Sequence, residues 1–384
     1  MKNVINCLKK VDKILLICSL ILFVFGLLMV FSASNVTSAA KLNNPYHYFY
    51  FQLLFLVVGL ILGFISISFF STKSYGKISW GLMFVFMATL IGVLIYGKVT
   101  NDAKSWLPLF AGIKFQPSEF AKVTTIVWVS YLCCGIKNLK KWVRYTLIGL
   151  LVGINAILIM MEPDFGTAII YLFIVFMMIL ALSFNKKVKL WIVVSIIVGC
   201  CGIVLLFTNK SIQEKFARQY NRFVDFGNPC SEEKFYTSGN QLCNGYIAIN
   251  NGNWKGLGLG DSTQKYLYLP EAYTDFIFAI IVEELGFIGG TITLIVMFIC
   301  LWRIYLIGRN APDPYGRLVC YGVFWYLLLH VVINLGGVFG LIPLTGVPLP
   351  FLSYGGSFMI CTIMALSIVQ RINIETRIEK DKWL

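Results

Sequence analysis

The sequence predicts an all-α membrane protein of about ten transmembrane helices, built as one polytopic domain over residues 1–384. Both termini are expected in the cytoplasm, with one large extracytoplasmic loop at about 208–274 before helix 8. Three observations carry this. Hydrophobic residues make up 58% of the chain and charged residues only 13%, too few for the surface of a soluble domain. Apolar runs such as Ile14 to Phe31, Tyr50 to Phe70 and Val188 to Phe207 approach the roughly 20 residues that a span requires. The lysines and arginines of the short loops are in large excess on one side.

The first run, about 14–33, exceeds the 7–15 apolar residues of a signal-peptide core and reads as a retained span, although Ser32-Ala33-Ser34 resembles a cleavage site. Lys2, Lys9, Lys10 and Lys13 precede it, and Lys73 with Lys77 separates the second span (48–70) from the third (79–97) on the same side. An outer segment carrying Lys104, Trp106 and Lys114 leads to the fourth span (118–136), which Lys137, Lys140, Lys141 and Arg144 follow on the inside. The fifth (143–161) and sixth (164–184) meet outside at Glu162-Pro163-Asp164, and Lys186, Lys187 and Lys189 open the seventh (187–207). Beyond the long loop, the eighth (275–303) and ninth (317–340) are joined by Arg303, Arg309 and Arg317. The tenth (354–371) ends in a tail with Arg371, Arg377, Lys380 and Lys382. The one-sided excess makes that side cytoplasmic.

The net charge of +14 follows from this pattern and from anionic headgroups, so it calls for no nucleic acid. Nine of the eleven cysteines lie in or beside spans or on the cytoplasmic side, where they act as small apolar residues. Cys230 and Cys243 lie in the outer loop and leave two readings open, a disulfide or two free thiols. No CxxC or His-rich spacing points to a metal. Within the loop, Lys210 to Asn228 has basic and aromatic residues at helical spacing, read either as an amphipathic surface helix or as a solvated charged stretch. Asn251 to Gly260 is a glycine-dense turn without the βαβ frame of a dinucleotide site or the GK[ST] of a P-loop, read as a tight backbone path close to the bilayer or to a substrate, or as plain turn chemistry.

Function points to the outer face. Four helices enter there with a proline near each start, at Gln116-Pro117-Ser118-Glu119, Glu162-Pro163-Asp164, Pro270-Glu271 before Asp275, and Pro348-Leu349-Pro350 before Ser353. Converging N-termini attract phosphate, and Lys104, Lys114 and Lys122 add full charges. Asp275 stands at the mouth of an apolar helix, a costly position that marks a functional site.

These segments carry a family resemblance. Asp102 to Trp106, Phe115 to Lys122, Glu162 to Ala168, Gln264 to Phe278 with Glu283 to Gly286, and Pro343 to Ser357 resemble the SEDS family of FtsW, RodA and SpoVE, in order along the chain. The resemblance implies a peptidoglycan glycosyltransferase that polymerises lipid II outside the plasma membrane, for cell division or cell shape. It implies work beside a class B penicillin-binding protein and other divisome or elongasome membrane proteins. It also makes Asp275 the essential acid. Gln264 to Glu271 is more similar to the division and sporulation branch than to the elongation branch. His330, Tyr273 and Asn240-Gln241 depart from the family's usual Gln, His and Tyr-Gln.

The chemistry asks for the same residues. Sugar transfer from a lipid pyrophosphate needs a base for the acceptor hydroxyl, expected at Asp275, and positive groups for the leaving pyrophosphate. Lys104, Trp106, Lys114, Glu119, Lys122 and Glu271 are the expected substrate-binding residues. Glu283 and Glu284, about two turns below Asp275, are expected to pair within the membrane. No cofactor is implied, and a Mg2+ or Mn2+ ion held by Asp275 and the pyrophosphate is left open. Trp106 and the uncharged Leu341–Ser353 connection are candidates for a polyprenyl groove, with an interfacial tryptophan and a re-entrant loop as the alternative. A lipid II flippase and a non-catalytic scaffold are the other classes; charges gathered at the outer edge favour catalysis over a midplane transport path.

Overall fold

The structure, a computed structural model, describes residues 7, 9–100, 103–108, 114–136, 139–162, 164–182, 228–235 and 239–382. The expected seventh span (187–207) and residues 210–227 of the expected surface helix lie outside the described residues. Among the described residues the helices are α1 (Lys13–Leu42), α2 (His47–Phe69), α3 (Thr72–Tyr96), α4 (Pro117–Ser130), α5 (Lys141–Met161), α6 (Phe165–Ala181), α7 (Asn240–Gly252), α8 (Ile277–Asn310), α9 (Pro314–Val338) and α10 (Gly356–Asp381), with a single turn at Glu232–Phe235. Seven of them, α1, α2, α3, α5, α8, α9 and α10, are long and apolar enough to cross a membrane. The fourth and sixth expected spans are shorter helices: α4 has 14 residues before it loosens into a π turn at Tyr131–Gly135, and α6 has 17.

Helix α1 shows why these segments fold this way. Asp12 caps its start by accepting from Leu15 N at 2.9 Å, and Asn43 ends it in the left-handed conformation. Ile14, Ile17, Ile21, Val24 and Leu28 form an exposed apolar stripe at helical spacing, while Leu15, Leu22, Phe23, Met29 and Val30 are buried. The exposed stripe is the face a bilayer would cover. Helix α10 is the most enclosed of the seven and packs along α2, while α8 lies between α1 and α9. Trp128, Tyr171, Tyr326, Phe276 and Phe278 fill the interior.

The fold is mainly helical, as expected, and the segment between α3 and α4 adds a small antiparallel sheet of β1 (Lys98–Thr100), β2 (Ala103–Pro108) and β3 (Lys114–Phe115) in that order. Lys98 pairs with Trp106 and Pro108 with Lys114. Strand pairing satisfies the backbone polar groups of this connection.

The described part of the stretch before α8 packs against the bundle. Cys230 and Cys243 form a disulfide, Cα atoms 5.2 Å apart, tying the chain before α7 to α7 itself. Helix α7 packs along α8 with Leu242, Cys243, Gly245 and Ala248 buried. The chain after α7 then fills a break in α8 at Gly286, whose φ of 69° is left-handed. Leu257 N and Gly258 N donate to Glu283 O and Glu284 O at 2.9 and 3.0 Å, while Phe287 N and Ile288 N donate to Asn253 O and Trp254 O at 2.8 and 3.3 Å. Gly286 lies nine residues below the start of α8, about 13 Å along the axis, so residues 253–258 re-enter the bundle. Irregular backbone at that depth holds only because two broken segments satisfy one another. A Cβ on Gly286 would lie 2.4 Å from Gly256 N and Trp254 O, so both the conformation and the close approach require glycine.

Candidate active site

Hydrogen bonds join the starts of α4, α6, α8 and α10. Asp164 caps α6 through Thr167 N (3.1 Å) and Thr167 Oγ1 (2.9 Å), and also accepts from Gln116 Nε2 (3.3 Å) at the start of α4. Gln116 N donates to Ser357 Oγ in α10 at 3.0 Å. Just before α10, Tyr354 N donates to Tyr273 O at 2.9 Å and Ser353 Oγ to Thr274 O at 2.6 Å, on the turn that leads into α8. The N–H ends of four helices are therefore linked at one end of the bundle.

Asp275 is half-buried on that turn, immediately before the N-cap Phe276 of α8. Glu271 builds the turn. Its backbone is left-handed (φ 56°), its carbonyl accepts from Thr274 N and Phe276 N at 3.2 Å each, and its carboxylate accepts from Thr274 Oγ1 at 2.7 Å. From α9, Asn334 Nδ2 donates to Asp275 O and to Val347 O, both at 2.8 Å. Asp275, Asn334, Thr345 and Gly346 share a cavity of about 10 Å3, roughly the space for one water. Beside it Tyr48, Tyr273 and Tyr354 pack ring on ring, with centroids 4.7 to 5.7 Å apart. Burial, with Tyr48 adjacent, pushes the Tyr273 hydroxyl above the usual tyrosine range, so it is a neutral hydrogen-bonding group.

The other expected residues are placed differently. Glu119 and Lys122 point into the bundle, each 1% exposed. Lys122 Nζ donates to Glu119 Oε1 at 2.8 Å and contacts His330 Nε2 at 3.0 Å. His330 Nδ1 lies 2.8 Å from Tyr326 O, which fixes the proton on Nδ1 and leaves Nε2 to accept from Lys122. Lys122 is thus engaged by α4 and α9 and does not reach the surface. Lys104 and the half-buried Trp106 lie in β2, and Lys114 is exposed in β3. The sheet, not the Asp275 turn, carries these three.

Glu283 and Glu284 pair as expected. Glu283 accepts from Asn251 Nδ2 (3.1 Å), Thr263 Oγ1 (2.7 Å), Thr263 N and Gln264 N (3.3 Å each) and Ser262 Oγ; Glu284 accepts from Ser32 Oγ (2.6 Å) and Lys265 Nζ (3.4 Å). They hold the re-entrant segment to α8. Sequence reasoning missed Asn334 and Gln52, whose amide bonds Ser353 O and Gly355 N at 3.1 and 3.2 Å. Polar residues inside apolar spans are costly, and that rule alone would have singled out Asn334 and Gln52. Among the described residues no three His, Cys, Asp or Glu side chains cluster as a metal cage.

Comparison with known proteins agrees with this architecture. The chain is 38% identical to the probable peptidoglycan glycosyltransferase FtsW of Coxiella burnetii over 375 residues, covering 95% of this chain and 96% of that protein. It is 35% identical to the stage V sporulation protein E of Bacillus subtilis, covering 95% and 98%. Among solved structures, one of a peptidoglycan synthase complex that coordinates polymerization and crosslinking contains a chain similar in fold, with a TM-score of 0.74, 24% identity and coverage of 95% and 98%. Thermus thermophilus RodA matches with a TM-score of 0.67, 24% identity and coverage of 94% and 96%. A family model described as "Cell cycle protein" matches residues 12–378, and on that match and these identities the chain belongs to the FtsW/RodA/SpoVE family.

Proposed function

We propose that this chain is a peptidoglycan glycosyltransferase that polymerises lipid II into glycan strands at the outer face of the bacterial plasma membrane, with Asp275 as general base. The observation that carries the reading is a half-buried carboxylate at the hydrogen-bonded junction of four helix starts. The names of its relatives point the same way.

The carboxylate of Asp275 takes the proton from the acceptor sugar's hydroxyl as that oxygen attacks the donor's anomeric carbon. The bond to phosphate breaks, and its electron pair leaves on the pyrophosphate. A single displacement turns the donor's α-phosphate linkage into a β-1,4 bond, so one carboxylate suffices. Positive helix ends favour the departing anion, and Lys104 and Lys114 of the sheet add full positive charges. Glu271 shapes the turn that presents Asp275, while Glu119 and Lys122 fix α4 against α9. A Mg2+ or Mn2+ ion, if bound, would be held by Asp275 and the pyrophosphate and would supply charge neutralisation.

A class B penicillin-binding protein is the proposed partner, supported by the fold's presence in a peptidoglycan synthase complex. The deciding experiment follows fluorescent lipid II in proteoliposomes holding this chain with its transpeptidase partner. Asp275→Asn is nearly isosteric but cannot serve as a base, and it should abolish polymer while leaving melting temperature unchanged. Polymer of normal length from that variant would remove Asp275 from the mechanism. Loss of polymer with continued lipid translocation would separate the two activities.

A further inference from the structure

Asn334 combines features that the reading above does not use. It lies in α9, is 5% exposed, and its side-chain nitrogen gives both hydrogens to backbone carbonyls, Asp275 O and Val347 O, each at 2.8 Å. These two acceptors fix the orientation of the amide, because the flipped form would aim oxygen at two oxygens. Its Oδ1 is buried and has no hydrogen-bond partner among the described residues. The side chain also lines the cavity of about 10 Å3 that it shares with Asp275 and Thr345. A buried, unpartnered acceptor beside an acid, in a space of one water's size, needs a reason to exist.

We infer that Asn334 is a positioning residue for transfer, fixing the Asp275 backbone and the Val347 loop through its amide nitrogen and offering Oδ1 to a hydrogen-bond donor of the acceptor sugar. This rests on the proposed role of Asp275. Asp275 belongs to the turn before α8 and Val347 to the connection before α10; the amide of a third helix holds the two in register. His330, one helical turn earlier on the same face of α9, holds Lys122 of α4. Helix α9 thereby sets the acid and the buried ion pair from adjacent turns. A donor on the sugar would satisfy Oδ1 only when the hydroxyl to be deprotonated lies in the shared cavity. The interaction therefore belongs to the aligned complex and should affect turnover more than ground-state binding.

The test measures kcat and KM for lipid II polymerisation, with melting temperature, for Asn334→Ser and Asn334→Asp in the full chain with its transpeptidase partner. Asn334→Asp keeps the shape but turns lone pairs toward both carbonyls; Asn334→Ser keeps one short donor. The expected result is kcat falling at least tenfold for Ser and further for Asp, with KM within twofold of the parent per folded protein. Parental kcat in either variant would overturn the inference. So would a raised KM at unchanged kcat, or failure of both variants to fold, which would make Asn334 a fold residue only. The Asp275→Asn variant, run beside them, keeps the two claims apart. Polymer from Asp275→Asn would sink the general-base reading, whereas a dead Asp275→Asn with fully active Asn334 variants would sink only this inference.

Discussion

Asp12 and Glu162 are both buried carboxylates standing one residue outside a membrane helix, at opposite ends of the bundle, and their surroundings drive them in opposite directions. Burial pushes the Asp12 carboxyl up, but hydrogen bonds from Arg303 and Leu15 N and the charges of Arg303 and Arg377 outweigh it and hold the group below the usual carboxylate range. Among the described residues no cation pairs with Glu162. Burial, with the Asp164 charge added, pushes it up to about 9, and neither of its oxygens has a hydrogen-bond partner among the described residues. The basic end spends arginines on structure: Arg303 grips Asp12, and Arg371 bonds Glu375 Oε1 and Ile67 O, each at 2.8 Å. At the Asp275 end, among the described residues, backbone carbonyls, amides and hydroxyls do the joining instead.

The largest effect should come from breaking the basic end. Asp12→Asn keeps the size of the side chain but strips the counter-charge from Arg303, while the main-chain bonds of residue 12 to Gln370 can persist. A charge-assisted pair of this kind is worth about 2–3 kcal/mol. The sign is fixed by the depressed folded pKa. The stability is fully present above the unfolded value of about 3.9 and disappears as pH falls through the folded value. Melting of detergent-solubilised protein should show the variant less stable at pH 7, with the gap closing in acid. A gap that persists unchanged at pH 3 would mean that packing, not charge, makes the latch.

Glu162→Gln should do the reverse, by about 2 kcal/mol or less. Below the unfolded value of about 4.3 both states carry the proton and nothing is lost; between there and about 9 the unfolded chain ionises while the folded one does not, so stability falls with rising pH. Glutamine reproduces the neutral acid without that dependence. The variant should melt higher than the parent at pH 7 and alike at pH 4. Equal curves across the range would show Glu162 ionised in the fold and the contrast with Asp12 unfounded.

How much of this was legible depends on which physical signal each feature leaves in the chain. The long spans declare themselves through length and apolarity, and α8 starts at Ile277 within two residues of the expected boundary. The clustering of helix starts was legible because proline and capping acids mark first turns, as Pro117 and Asp164 do. The re-entry of residues 253–258 was not, because a glycine-dense turn reads the same in water as against a broken helix; only its pairing with Gly286 distinguishes the two. Lys122 misled for a related reason. A lysine one turn into a span is read as reaching outward, yet three helical positions from Glu119 and opposite His330 it finds enough partners to stay inside.

Lys114 is the sharpest remaining contrast, since it was expected to serve the same anion as Lys122 but lies exposed in β3. Even a paired lysine contributes little to the fold when it is exposed, so Lys114→Gln should change stability by less than about 1 kcal/mol, the smallest effect of the set. Its contribution would be to turnover. A full charge near the start of α4 adds to the helix field on a departing pyrophosphate, and its loss should lower kcat/KM about tenfold, equivalent to about 1.4 kcal/mol of transition-state stabilisation. The effect should also shrink as ionic strength rises, because a surface cation is screened over about 10 Å at 0.1 M salt while buried groups are not. Polymerisation rates of parent and variant measured from low to high salt decide the matter. A parental rate at low salt would leave Lys114 an anchor for headgroups, and the positive field at this end would then be that of the helix starts alone.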